Sequence, residues 1–170
     1  MKILIAGVGN LLRGDDGFGV RVAQRLEKSL LPEGVRVVEI GISGMSLVQE
    51  LMDRYDACVI VDAVKRQGLP GTLYTLQPTI DFPEGEDAEA LHRELVDMHY
   101  AEPSQALRLA GALGIRPKAV YIVGCQPEEV DELTENLSPP VERAVEKAVQ
   151  MIAELISRLR TESGERLQAH

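Results

Sequence analysis

Two adjacent carboxylates, Asp15 and Asp16, sit in the run GVGNLLRGDDGFGV (residues 7–20), and a third, Asp62, closes the apolar run ACVIVD. A carboxylate at the end of a buried strand costs several kcal/mol unless it has a partner. Two carboxylates brought close together need a cation or a shared proton between them. An imidazole added to such a pair makes a donor set suited to a divalent ion such as zinc, nickel or manganese. Of the three histidines, His170 ends the chain and His92 lies in an amphipathic stretch suited to a solvated face. His99, just ahead of an expected helix at 103, is the candidate third ligand. The plainer alternatives are Asp15 as a helix cap, Asp62 capping the turn that follows it, and His99 as an exposed loop residue.

Other chemistries fit less well. Gly7 and Gly9 begin a G-x-G-x-x-G pattern, but Leu12 stands where the third glycine belongs. A bound pyrophosphate would also meet the charges of Asp15 and Asp16 at the start of the next helix. Cys58 and Cys125 each lie inside an apolar segment, where a thiol is reduced and inert. A flavin is disfavoured because no Ser/Thr-rich loop follows the first strand and aromatics make up only 4% of the chain.

The carboxylates must be held by the elements around them. Apolar runs at 2–8, 35–40, 57–62 and 118–124 read as parallel strands buried on both faces, alternating with helix-period stretches. Phe18, Val22, Leu26 and Leu30 recur every fourth residue and predict a helix over 16–30. Ser43 is the expected N-cap of a second helix carrying Leu47, Val48 and Leu51. The extended run at 71–77 follows Asp62 too closely for a parallel crossover, so it is expected as an antiparallel edge strand. An acidic stretch, 78–102, with a short helix around Glu86 to Val96, leads to a helix from Pro103 to about Leu113. The final helix is expected from Ser138 to about Leu159, with Val141, Val145, Val149, Ile152, Ile156 and Leu159 inward and a frayed polar tail over 161–170. If strands 1 and 3 are neighbours, in the order 2-1-3, Asp16 and Asp62 meet over the carboxyl edge of the sheet, where α/β folds collect their ligands.

At 170 residues the chain makes one domain, expected over 1–160, with roughly 68–70% of its surface buried on folding. Eighteen Lys and Arg stand against 27 Asp and Glu, a net charge of −9, which argues against nucleic acid. The first residues, MKILIAGVGN, are too short an apolar run for a leader or a membrane span, so a cytoplasmic protein is expected.

Taken in order, GVGNLLRGDDGFGV, GISGMSL (41–47), VDAV (61–64), PGTL (70–73), His99 before ALRLAGALG, VGCQPE (123–128) and LSPPV (137–141) resemble the hydrogenase maturation endopeptidases. The resemblance runs from residue 2 to about 158. It implies a flavodoxin-like three-layer α/β/α sandwich built on about five strands, mostly parallel, with one antiparallel edge strand. It also implies removal of a short C-terminal extension from the large-subunit precursor of a nickel-iron hydrogenase after nickel insertion. The family's metal ligands, which would also carry the catalysis, fall on Asp16, Asp62 and His99, and Gly41 falls on a loop near the cleft. The nickel is expected to arrive with the precursor, with no nucleotide or flavin, and the chain is expected to act as a monomer. The position of Asp16 is Glu in some members, and the stretch between Gly71 and His99 is longer and more acidic than the family pattern. The alternative is a nickel- or hydrogenase-binding chaperone without peptidase activity.

Overall fold

The computed structural model describes residues 1–79 and 103–168, the last four by backbone alone. Five strands form one sheet: β1 (Ile3–Val8), β2 (Val35–Gly41), β3 (Ala57–Ala63), β4 (Leu73–Leu76) and β5 (Ala119–Cys125). Their order is β2-β1-β3-β5-β4, with β4 antiparallel to β5 and the other pairs parallel. Strand β4 is therefore the expected antiparallel edge. The nine residues between β3 and β4 can turn the chain back but cannot cross the sheet.

Helices α1 (Phe18–Glu27), α2 (Gly44–Leu51), α3 (Pro103–Ala112) and α4 (Pro139–Gln168) cover the two faces. Period-two alternation along β3 divides the core between them. Ala57, Val59 and Val61 pack with Phe18, Val22 and Leu26 of α1 and with Val141, Val145 and Ile152 of α4. Cys58 and Ile60 point the other way, among Leu47, Val48 and Leu51 of α2 and Leu107 and Ala110 of α3. Ser43 caps α2 as expected, its Oγ accepting from the Ser46 N–H at 3.3 Å.

Three details depart from the expectations. The stretch from residue 16 does not begin as an α-helix: Gly14–Gly17 form a 3-10 turn and α1 starts at Phe18. At its other end α1 stops at Glu27, where the Ser29 N–H and hydroxyl both bond to the Leu26 carbonyl. Leu30 therefore lies past the helix and is fully exposed instead of joining the stripe. The last helix continues to Gln168 through the region expected to fray. Polarity alone does not end a helix, and within 157–162 the Thr161 hydroxyl bonds the Ser157 carbonyl while Arg158 and Glu162 face each other one turn apart at 3.9 Å. The helix expected around Glu86 to Val96 lies outside the described residues. Among those described, no helix is long and apolar enough to cross a membrane.

Candidate functional site at the carboxyl edge of the sheet

Strand order reverses between β1 and β3, and the segment after β1 folds over this point. Gly19, at the start of α1, sits so tightly on the strand ends that an added Cβ would lie 2.0 Å from the Val61 carbonyl oxygen and 2.3 Å from that of Val8. Gly9 has φ +125°, and a Cβ there would lie 1.8 Å from the Asp16 carbonyl oxygen. The glycines of the GVG run thus serve close backbone packing. The same contacts deliver Asp16, three residues before Gly19, and Asp62, next to Val61, to one edge of the sheet.

Asp16 is half-buried, and its Oδ2 accepts from the Asn10 N–H at 2.9 Å. Asn10 in turn accepts from the Leu12 N–H at 3.0 Å through its Oδ1, which folds the loop back on itself. Asp62 is also half-buried, lies opposite Gly124 of β5, and its Oδ1 accepts from the Ala63 N–H at 2.8 Å. That bond, to the last residue of β3, holds the carboxylate at the strand end. All three histidines, His99 included, lie outside the described residues. Among the described residues no three His, Cys, Asp or Glu side chains converge on a common ion position.

Asp15 does something the sequence did not disclose. It is 1% exposed, and its carboxylate accepts from the Glu128 N–H (2.8 Å), the Glu129 N–H (3.2 Å), the Ser138 N–H (2.7 Å) and the Ser138 hydroxyl (2.8 Å). Four donors are what allow a carboxylate to be buried at this depth. Neither aspartate caps α1: its N-cap is Gly17, with no side-chain bond. Asp15 instead locks the turn carrying Asp16 to the β5–α4 connection. Gln126, also buried, makes a second such tie: its Oε1 accepts from the Arg66 N–H at 2.6 Å, and its backbone bonds Gly71 and Thr72. Its sequence signal was available, since it too is a polar residue directly following an apolar strand.

The cysteines supply no nucleophile. Burial pushes the Cys58 thiol up to about 12. Cys125 is also pushed up to about 12, by burial first and then by the charge of Asp15, against a smaller opposing effect of the Gly71 backbone. Both are free thiols, as expected from their apolar surroundings.

Comparisons with known proteins give the family and its fold. A family model described as hydrogenase maturation protease matches residues 20–155, a span that includes Asp62 and His99 and begins just after Asp16. The chain is 34% identical over 141 residues to the hydrogenase expression/formation protein HoxM of Azotobacter vinelandii, covering 82% of this chain and 65% of HoxM. It thus spans a little under two thirds of the length of that relative. It is 34% identical over 147 residues to the hydrogenase 2 maturation protease of Escherichia coli K12, covering 84% of this chain and 82% of that one. Among solved structures, the hydrogenase maturating endopeptidase HybD of E. coli superposes with a TM-score of 0.74 at 31% identity, over 93% of each chain. A hydrogenase 2 maturation peptidase from a Thaumarchaeota archaeon gives 0.69 at 32% identity, over 92% of this chain and 99% of that one. The chain belongs to the hydrogenase maturation protease family.

Proposed function

We propose that this chain is an endopeptidase that trims the C-terminal extension from a nickel-iron hydrogenase large-subunit precursor once nickel is in place. The observation that carries the reading is the delivery of Asp16 and Asp62 to one sheet edge at the β1/β3 switch point, in a chain of this family. Two carboxylates held at one edge are matched to a cation, and the precursor brings that cation as its cargo. Asp16, Asp62 and His99 act as additional ligands to it. A precursor without nickel offers these residues no shared partner, which makes the ion the licence for cleavage.

Hydrolysis adds water across the scissile amide, leaving a new carboxyl terminus on the large subunit and a free amine on the released peptide. Two routes use this chain's residues. The aspartates hold the ion against the scissile carbonyl or an attacking water, or a carboxylate of the pair takes the proton from that water itself. In both routes Asp16 must stay where its loop places it, which is the role of the Asn10 contact and of the Asp15 clamp.

Incubating the purified chain with nickel-loaded precursor is expected to give a C-terminal mass loss by intact mass spectrometry. Leaving nickel out is expected to stop it. Asp62→Asn removes the charge and keeps the shape, and a fall in trimming of at least ~100-fold is expected. An Asp62→Asn enzyme that trims like wild type would sink the assignment of the site. A wild-type chain that binds the nickel-loaded precursor without any mass loss would favour a chaperone.

A further inference from the structure

Each of the four parallel strands is followed by a loop that exposes one large aliphatic side chain: Leu12 after β1, Ile42 after β2, Leu69 after β3 and Leu133 after β5. Scattered exposed leucines are ordinary, but two of these are set side by side by the backbone. The Thr134 N–H donates to the Leu12 carbonyl at 3.1 Å and the Gly14 N–H donates to the Thr134 carbonyl at 2.8 Å, an isolated parallel bridge between Arg13 and Thr134. The bridge makes Leu12 and Leu133 neighbours, and they are 57% and 87% exposed. The Gly9 N–H donates to the Gly41 carbonyl at 3.0 Å, which draws Ile42 toward the same loop.

The segment that carries Leu133 is not a loose loop. Asp15 accepts from its Glu128 and Glu129 N–H groups, and Arg13 pairs with its Asp131. An apolar pair presented on so firmly tied a backbone is preorganised for contact, because little ordering remains to be done on binding. Its surroundings specify the sign of the partner. Residues 127–136 contain five acidic residues and no Lys or Arg, and a cavity of about 380 Å³ beside the pair is lined by Glu128, Glu129 and Glu132.

We propose that Leu12 and Leu133, flanked by Glu132, form the docking surface for the large-subunit precursor, and that the precursor segment seated there carries an aliphatic or aromatic side chain next to Lys or Arg. This rests on the functional reading above and adds where the substrate is gripped, on the side of the Asp16 turn that faces the β5–α4 connection. Electrostatic matching of this kind governs association and partner choice, and the apolar pair provides the anchor.

The test is a binding titration of nickel-loaded precursor against the full chain, run beside the trimming assay. The Leu12→Ser, Leu133→Ser double variant is expected to raise Kd and KM about tenfold with kcat unchanged. Its melting temperature should stay close to the wild-type value, since Leu133 is 87% and Leu12 57% exposed. Glu132→Lys is expected to raise Kd and to flatten its dependence on ionic strength. Leu30→Ser, at a still more exposed leucine elsewhere, should change nothing. Unchanged precursor binding by the double variant overturns the docking surface, and so does an equal loss in Leu30→Ser. Self-association of the free chain that the double substitution abolishes would assign the surface to a second copy instead. Trimming by the wild type is read separately, so a failure there counts against the peptidase reading while the titration still decides the surface.

Discussion

Asp15 and Asp16 share a side-chain chemistry and a position in the chain to within one residue, yet the fold gives them opposite work. Asp16 is half-buried and its carboxylate bonds a neighbouring amide of its own loop, whereas Asp15 is buried and spends its acceptor capacity on four distant donors. The energetic consequences differ accordingly. Asp15→Ala removes the shared acceptor of four part-buried hydrogen bonds to a charged group and leaves a cavity where the carboxylate was, so a loss of roughly 3 kcal/mol in urea unfolding is expected. Asp16→Asn keeps the shape and one acceptor oxygen, and it should fall within about 1 kcal/mol of wild type while impairing trimming. Reading the pair from sequence could not separate these roles, because the partners of Asp15 lie 113 to 123 residues further along the chain.

At the scale of elements, the crossover from β1 to α1 has no room for an added side-chain atom at Gly9 or Gly19. A methyl group at Gly19 would press into two strand carbonyl oxygens, and no flexible side chain is present there to yield. Gly19→Ala is therefore expected to cost more than about 4 kcal/mol, seen as loss of the cooperative thermal transition by circular dichroism. The strands themselves were legible, because continuous Ile and Val runs have few other homes than a sheet covered on both faces. The antiparallel edge was legible from a connection length, and α2 from Ser43. The boundaries were not. The 3-10 start before α1 depends on Gly9 and Asp16 meeting in space, and the stop before Leu30 depends on Ser29 turning back on Leu26. Of the candidate site, the sheet-edge placement of Asp16 and Asp62 followed from strand order, whereas the Asp15 clamp and the Gln126 tie are tertiary facts without local periodicity.

For the molecule as a whole, the two ends of the sheet are built differently. At the amino end, Asp56 accepts from the Lys2 N–H and from Lys118 Nζ, each at 2.8 Å, joining β1, β3 and β5. The Lys118 hydrogen bond and then the Lys2 amide hold the Asp56 carboxyl below its ordinary value, against a smaller effect of burial. A carboxyl lowered by folding stabilises the native state fully above its unfolded value, near ~3.9, and loses that contribution as pH falls through the folded one. Stability measured by urea unfolding is thus expected to fall below about pH 4 in the wild type and to fall less steeply in Asp56→Asn. At the carboxyl end, the Asp15 clamp joins residues 15 and 138, which are among the most widely separated contacts in the chain. Closing so long a loop carries an entropy cost that the four hydrogen bonds of Asp15 and the sheet beneath them offset together. The clamp on the Asp16 turn therefore requires the chain as far as Ser138. A chain that has not reached Ser138 carries both aspartates but lacks the clamp that ties the Asp16 turn to the β5–α4 connection.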